Sequence, residues 1–143
     1  MKVVIAGGRG MLGAALGGAL RADGIDVVAL SRRQPPGALA DGQRVVRWDG
    51  RTLDGAWTQE LAGADAVVDV CGLSVGTWPW TPGTMARLRG SRLEPRTVLV
   101  EAMAGLVPDA RPRSLVAISG TDGYVGTDAL PAGEDTPLAD TFL

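Results

Sequence analysis

A chain of 143 residues with 45% hydrophobic and 21% charged residues has the size and composition of one globular domain with its own core. A net charge of −2 offers no field for nucleic acid or an anionic membrane, and no apolar run approaches the roughly 18 residues that would span a bilayer. The sequence contains no histidine, which excludes a histidine base, a histidine metal ligand and a Ser-His-Asp triad, and its single cysteine, Cys71, cannot form an internal disulfide, which suits a reducing cytoplasm.

Val3, Val4, Ile5 and Ala6 form a continuous apolar run rich in β-branched residues, the pattern of a strand buried on both faces of a parallel sheet. Gly7, Gly10 and Gly13 follow at GxxGxxG spacing. In a strand-to-helix turn one such glycine permits the turn, another lets backbone approach a pyrophosphate, and a third lets the helix pack on the strand. A diphosphate would lie at the helix N-terminus, where free N–H groups and the dipole favour anions; the alternative is a tight turn with no ligand. Lys2 and the apolar residues after it imitate a leader peptide, but Arg9 and the glycines interrupt them, so a cytoplasmic protein is expected. Met11, Leu12, Ala15, Leu16, Ala19 and Leu20 recur at helical spacing and predict one stripe facing the sheet. Gly17 and Gly18 weaken this helix by about 1 kcal/mol each relative to alanine, so packing must hold it.

Gly24 ends the helix, and Asp26 to Leu30 reads as a second buried strand. Gln34 to Gln43, with two prolines and two glycines, is a loop. Arg44 to Trp48 makes a third, shorter strand, Thr58 to Ala62 at most a short helix, and Ala66 to Val70 a fourth strand. After a polar and aromatic loop from Gly72 to Trp80, Thr81 is placed as an N-cap with Pro82 at the first helical position. Pro95 predicts an end or a kink, because proline disfavours the helical conformation in the residue before it. Val98, Leu99, Ala102, Met103 and Leu106 then form another stripe, closed by Pro108. Ser114 to Ser119 is the fifth strand, and Gly120 to Leu143 shows no clear period; its DTFL ending reads as the opening of another element, so the front part of a longer protein is expected. Strands alternating with helices through five units predict an α/β fold, a doubly wound parallel sheet in the order 3-2-1-4-5.

Dinucleotide sites place an acidic residue after the second strand on the adenosine ribose, or an arginine there for a 2′-phosphate. Here Leu30 runs into Ser31, Arg32 and Arg33, with no carboxylate. A hydroxyl and two guanidiniums suit a phosphate, each charge-assisted bond contributing roughly 1.5 to 3 kcal/mol. NADP is therefore expected over NAD, against the alternative of two solvated loop arginines. The cofactor-binding set read from the sequence is Gly7, Gly8, Arg9, Gly10, Met11, Leu12 and Gly13 in the turn, Ser31, Arg32 and Arg33 after the second strand, Asp49 after the third, and Cys71, Gly72 and Leu73 after the fourth. Asp49 is placed to meet the adenine amino group, or is a turn aspartate before Gly50. Small residues at Cys71 and Gly72 let backbone approach a ligand, although Cys71 reads more simply as a buried small hydrophobe. Asp69, inside an apolar strand, requires a local hydrogen-bond partner. Trp78, Pro79 and Trp80 form a substrate wall or pack against a further region or a second subunit, and Arg89 and Arg92 reach an anionic substrate or are solvated. No metal site is expected.

Six stretches resemble one known family, the extended or atypical short-chain dehydrogenase/reductases, and within it the epimerase-like branch labelled NAD-dependent epimerase/dehydratase. AGGRGMLG (Ala6 to Gly13) is similar to the family's TGGTGFIG, LSRR (Leu30 to Arg33) to its second-strand ending, and GADAVVDVCG (Gly63 to Gly72) to GADAVVNLAG. Pro79 to Met103 resembles the branch's RWT…SR…T..L..A helix region, and AISGTDGYVG (Ala117 to Gly126) and EDTP (Glu134 to Pro137) extend the likeness along essentially the whole chain.

The resemblance implies an NAD(P)-binding Rossmann domain over residues 1–143, with hydride chemistry on a sugar nucleotide or a small carbonyl compound. It also implies a catalytic Ser or Thr after the fifth strand, together with Tyr-x-x-x-Lys. Ser119 or Thr121 matches the hydroxyl, Tyr124 is the only tyrosine, and Asp128 stands where the lysine would, so the Tyr-Lys pair is absent from these residues and either lies beyond Leu143 or is lacking. A hydroxyl can orient a carbonyl, but an unperturbed tyrosine titrates at about 10 and is a poor proton donor and acceptor near neutral pH. Two functions follow: an NADP-dependent epimerase- or reductase-like protein with a small-molecule substrate, homodimer formation being open, or a non-catalytic dinucleotide binder with a redox-sensing or interaction role.

Overall fold

The computed structural model describes residues 1–32, 43–120 and 133–138. Five strands, β1 (Lys2–Ala6), β2 (Asp26–Ser31), β3 (Arg44–Arg47), β4 (Ala66–Asp69) and β5 (Ser114–Ala117), form one sheet in the order β3-β2-β1-β4-β5, parallel throughout. This is the Rossmann-like order that the strand–helix alternation predicts. The connecting helices are α1 (Met11–Ala22), α2 (Trp57–Leu61) and α3 (Pro82–Gly105), with a 3₁₀ turn at Pro108–Ala110. Strand β1, first of the five in chain order, is the middle of the sheet: Ala6 stands between Leu30 of β2 and Asp69 of β4.

Alternation along the strands divides the core into two layers. Val4, Ala6, Val28, Leu30 and Val67 point to one face, where Trp57, Leu61, Val98 and Leu99 of α2 and α3 cover them. Trp48 joins this layer and packs on Trp57 with ring centroids 5.1 Å apart. Val3, Ile5 and Val27 point to the other face, against Leu16 and Leu20 of α1. Burying such valine and isoleucine side chains contributes about 1.5–3 kcal/mol each, which is why β1 tolerates so little polarity.

Two helix expectations are corrected. The stripe of six apolar residues on α1 does not face the sheet as a set: Met11 is 85% exposed and Leu12 49%, and Ala15 and Ala19 are exposed too. The buried positions are Gly13 and Gly17. Missing side chains let α1 lie close to the strands, and a Cβ on Gly17 would stand 3.6 Å from Ile5 Cδ1. Hydrophobicity predicted the buried face, whereas close approach decided it. The second correction concerns Pro95, which neither ends the helix nor divides it, since α3 runs through it for 24 residues. Its missing amide removes one helical bond. The ring is buried against Gly50, Cγ lying 3.5 Å from where a Cβ there would stand, and this packing offsets the loss. Among the described residues no helix is long and apolar enough to cross a membrane.

Candidate functional site

The chain leaves β1 toward β2 and β3, then crosses back to β4 and β5, so the strand order reverses between β1 and β4. In open parallel sheets ligands bind outside the carboxyl ends at that reversal. The glycine turn lies there. Gly7 has φ of +75°, a left-handed conformation that L side chains rarely adopt, and a Cβ on it would stand 3.2 Å from Cys71 N at the end of β4. Gly13 sits in the first turn of α1, where a Cβ would collide with the Gly7 carbonyl oxygen and come within 2.6 Å of Gly8 Cα. The Gly10 amide donates to Gly7 O at 2.8 Å, closing the turn, and the Gly8 amide donates to Leu30 O at 3.3 Å, fixing it to β2. Gly10 is the N-cap of α1 with extended backbone, no side-chain cap and no acidic residue in the following turn. A helix N-terminus so bare of side chains suits a diphosphate. Arg9, Met11 and Leu12 are exposed around it.

At the end of β2, Ser31 is half-buried, its carbonyl accepting from the Trp48 amide at 2.9 Å, and Arg32 is exposed. Past β3, Asp49 Oδ1 accepts from the amides of Arg51 at 2.8 Å and Thr52 at 3.0 Å, and Oδ2 from Thr52 Oγ1 at 3.1 Å. Those bonds, that from the Thr52 amide first, hold its carboxyl below the usual carboxylate range. Asp49 thus shapes a turn, and an adenine amino group would have to share an already engaged carboxylate.

The β4 side is held differently. Asp69 is 1% exposed, and its carboxylate accepts from the Cys71 amide at 3.0 Å and from Arg96 Nε at 3.3 Å. Arg96 Nη2 also donates to Ile118 O at 3.1 Å, so one guanidinium ties the end of β4 to the residue before Ser119. The Cys71 amide is the local partner that the sequence leads one to expect for Asp69, whereas Arg96, 27 residues on, carries no sequence signal. Cys71 packs against the α2–α3 layer. Burial, then the negative charge of Asp69, pushes its thiol up to about 12, so it stays protonated at neutral pH. Leu73 is bound through both backbone groups: its amide donates to Ser91 Oγ at 2.8 Å, and its carbonyl accepts from Arg92 Nη2 at 3.2 Å. Arg92 is therefore engaged inside the fold, whereas Arg89 is exposed.

Ser119 is exposed at the end of the β5 segment. Arg33, Thr121 and Tyr124 lie outside the described residues. In the loop after β4, Trp78 is 82% exposed, and Trp80 Nε1 donates to Val75 O at 3.0 Å. Thr81 caps α3, its Oγ1 accepting from the Thr84 amide at 3.1 Å, with Pro82 in the first turn as expected.

Residues 3–142 match the NAD dependent epimerase/dehydratase family. The chain belongs to that family. The resemblance carried by the glycine turn, the fourth strand and the α3 region is thereby established. An epimerase family protein of Mycobacterium tuberculosis is 31% identical over 141 residues, which cover 99% of this chain and 44% of that protein. Among solved structures, human epimerase family protein SDR39U1 with NADPH superposes with a TM-score of 0.77 at 27% identity, covering 99% of this chain and 44% of that one. A short-chain dehydrogenase/reductase superfamily protein from Agrobacterium tumefaciens with bound NAD gives 0.69 at 28% identity, covering 97% and 39%. The chain spans less than half the length of the curated relatives it matches.

Proposed function

We propose that this chain is the NADP-binding part of an epimerase- or reductase-like protein acting on a sugar nucleotide or a small carbonyl compound. The observation that carries the reading is the α1 N-terminus at the strand-order reversal, a cradle in which a Cβ on Gly13 would strike the turn itself. Its neighbour on β2 is Ser31–Arg32, with no carboxylate to repel a 2′-phosphate. The human relative carries NADPH and the Agrobacterium relative NAD, which supports a nicotinamide dinucleotide in either form.

In this reading Gly7 to Gly13 bind the diphosphate, Arg32 and Arg33 the adenosine phosphate, and Cys71 to Leu73 border the nicotinamide half. A bound nicotinamide dinucleotide supplies hydride transfer. The chain's own contribution is to bind and orient it, with the hydroxyl of Ser119 or Thr121 as the group that would orient a carbonyl. The second reading, a binder without turnover, is favoured by Asp128 standing at the position of the family's lysine. NADPH oxidation by the full-length protein in the presence of a carbonyl substrate separates the two.

The cofactor reading is tested by titrating NADPH and NADH into wild type and into the Arg32→Ala, Arg33→Ala variant. NADPH binding should weaken about 10- to 100-fold, the loss of one or two charge-assisted contacts, with NADH nearly unchanged. Equal loss for both dinucleotides would remove the preference for NADP.

A further inference from the structure

We propose that Ser91 and Arg92 on α3 are positioning residues for the nicotinamide half of the dinucleotide, acting through the backbone of Leu73. The proposal rests on the dinucleotide reading above. With the adenosine end assigned to β2 and the diphosphate to the Gly7–Gly13 turn, the other half of the ligand extends over β4, whose end touches that turn through Cys71. The segment it meets there, Cys71 to Leu73, is not held by sheet hydrogen bonds, since β4 ends at Asp69.

Asp69 Oδ1 holds its start through the Cys71 amide, and a two-point latch from one turn of α3 holds its far end at Leu73. Ser91 Oγ donates to Leu88 O at 2.7 Å, which commits its proton to the helix and leaves a lone pair for the Leu73 amide at 2.8 Å. Arg92 Nη1 donates to the same Leu88 carbonyl at 2.9 Å, which steadies the guanidinium while Nη2 donates to Leu73 O at 3.2 Å. Fixing the amide and the carbonyl of one residue fixes both peptide planes that flank it. The guanidinium also lies along Gly72, its Cζ 3.5 Å from where a Cβ would stand. Beyond Leu73 the loop bonds within itself, with the Gly76 amide on Ser74 Oγ, the Thr77 amide on Ser74 O, and Trp80 Nε1 on Val75 O. Leu73 is thus the point at which the helix fixes the loop. Without the latch, ordering of this segment is deferred to the moment of binding and weakens it.

The test compares a whole dinucleotide with its adenosine half in the full chain. NADPH and 2′,5′-ADP are titrated into wild type and the Ser91→Ala, Arg92→Gln variant, with NADH and ADP used instead where wild type favours NADH. The expected result is a loss of about 10-fold for the dinucleotide, on the order of one residue's ordering cost, with the fragment unchanged within about 2-fold. Ser91→Thr, which keeps the acceptor, should bind like wild type. Should the double variant fail to fold, Ser91→Ala alone is read in the same way. Equal weakening of dinucleotide and fragment, or no weakening of the dinucleotide, overturns the proposal while leaving the cofactor reading intact. A wild type that binds neither dinucleotide overturns both.

Discussion

The two sides of the site are built by opposite means. Toward β2 the geometry comes from backbone alone, within the first thirty residues: the Gly10 amide on Gly7 O, the Gly8 amide on Leu30 O, and a helix lying where no Cβ fits. Toward β5 it comes from side chains of one helix bonding across the fold, Ser91 and Arg92 to Leu73 and Arg96 to Asp69 and Ile118. A wall made by omitting side chains tolerates no addition. A wall made by reaching side chains tolerates replacement as long as hydrogen bonds and charge remain balanced.

That contrast sets the order of expected effects. Gly13→Val should be the most damaging, because the neighbours that must yield are backbone atoms; a loss of more than about 3 kcal/mol in urea unfolding is expected, beyond ordinary overpacking. Arg96→Ala leaves the buried Asp69 carboxylate without its cation, at a cost of about 2–3 kcal/mol, below the roughly 3–5 kcal/mol of a fully buried pair because Arg96 itself is partly exposed. Adding Asp69→Asn should recover most of that loss, since the amide oxygen still accepts from Cys71; no recovery would show that the tie to Ile118 O carries the effect instead.

Alkaline pH probes the same wall. The Cys71 thiol ordinarily titrates at about 9 and in the fold at about 12. Between those values the folded state holds a proton that the unfolded chain releases, so this group's contribution is complete below about 9 and lost as pH rises toward 12. Its slope is at most about 1.4 kcal/mol per pH unit. Cys71→Ala should flatten the alkaline fall in unfolding free energy by up to that amount. The smallest effect belongs to the α3 cap: Thr81→Ala should cost about 1 kcal/mol with little change in dinucleotide binding, because the latch lies about three turns further along.

Legibility in the sequence followed the same division. The glycine turn and the Thr81–Pro82 helix start are readable because each is encoded within a few adjacent residues, and the strand order because the alternation of strands and helices along the chain restricts the topology. The bare stretch Ser31–Arg32 was equally local. The buried face of α1 was misread because apolar spacing was taken as the guide, whereas Gly13 and Gly17 brought the helix close and turned Met11 and Leu12 outward. Pro95 was misread because its local preference yields to a tertiary contact with Gly50. The latch and the Arg96 tie were invisible because no spacing rule joins Leu73 to Ser91 or Asp69 to Arg96. The carboxylate in an apolar strand signals a partner, but a local one, and Arg96 stands 27 residues away.

The central place of β1 has a consequence for how the chain is made. Its Val-Val-Ile-Ala run leaves the ribosome ahead of the other four strands, but one of its two sheet neighbours is β4, beginning at Ala66. At synthesis rates of about 5–20 residues per second, that neighbour follows roughly 3–12 s later. During the interval the most apolar strand has β2 on one edge and an open ladder of amides and carbonyls on the other, a template for pairing with another chain. Nascent chains stalled before β4 should therefore be the form of this protein most dependent on chaperones.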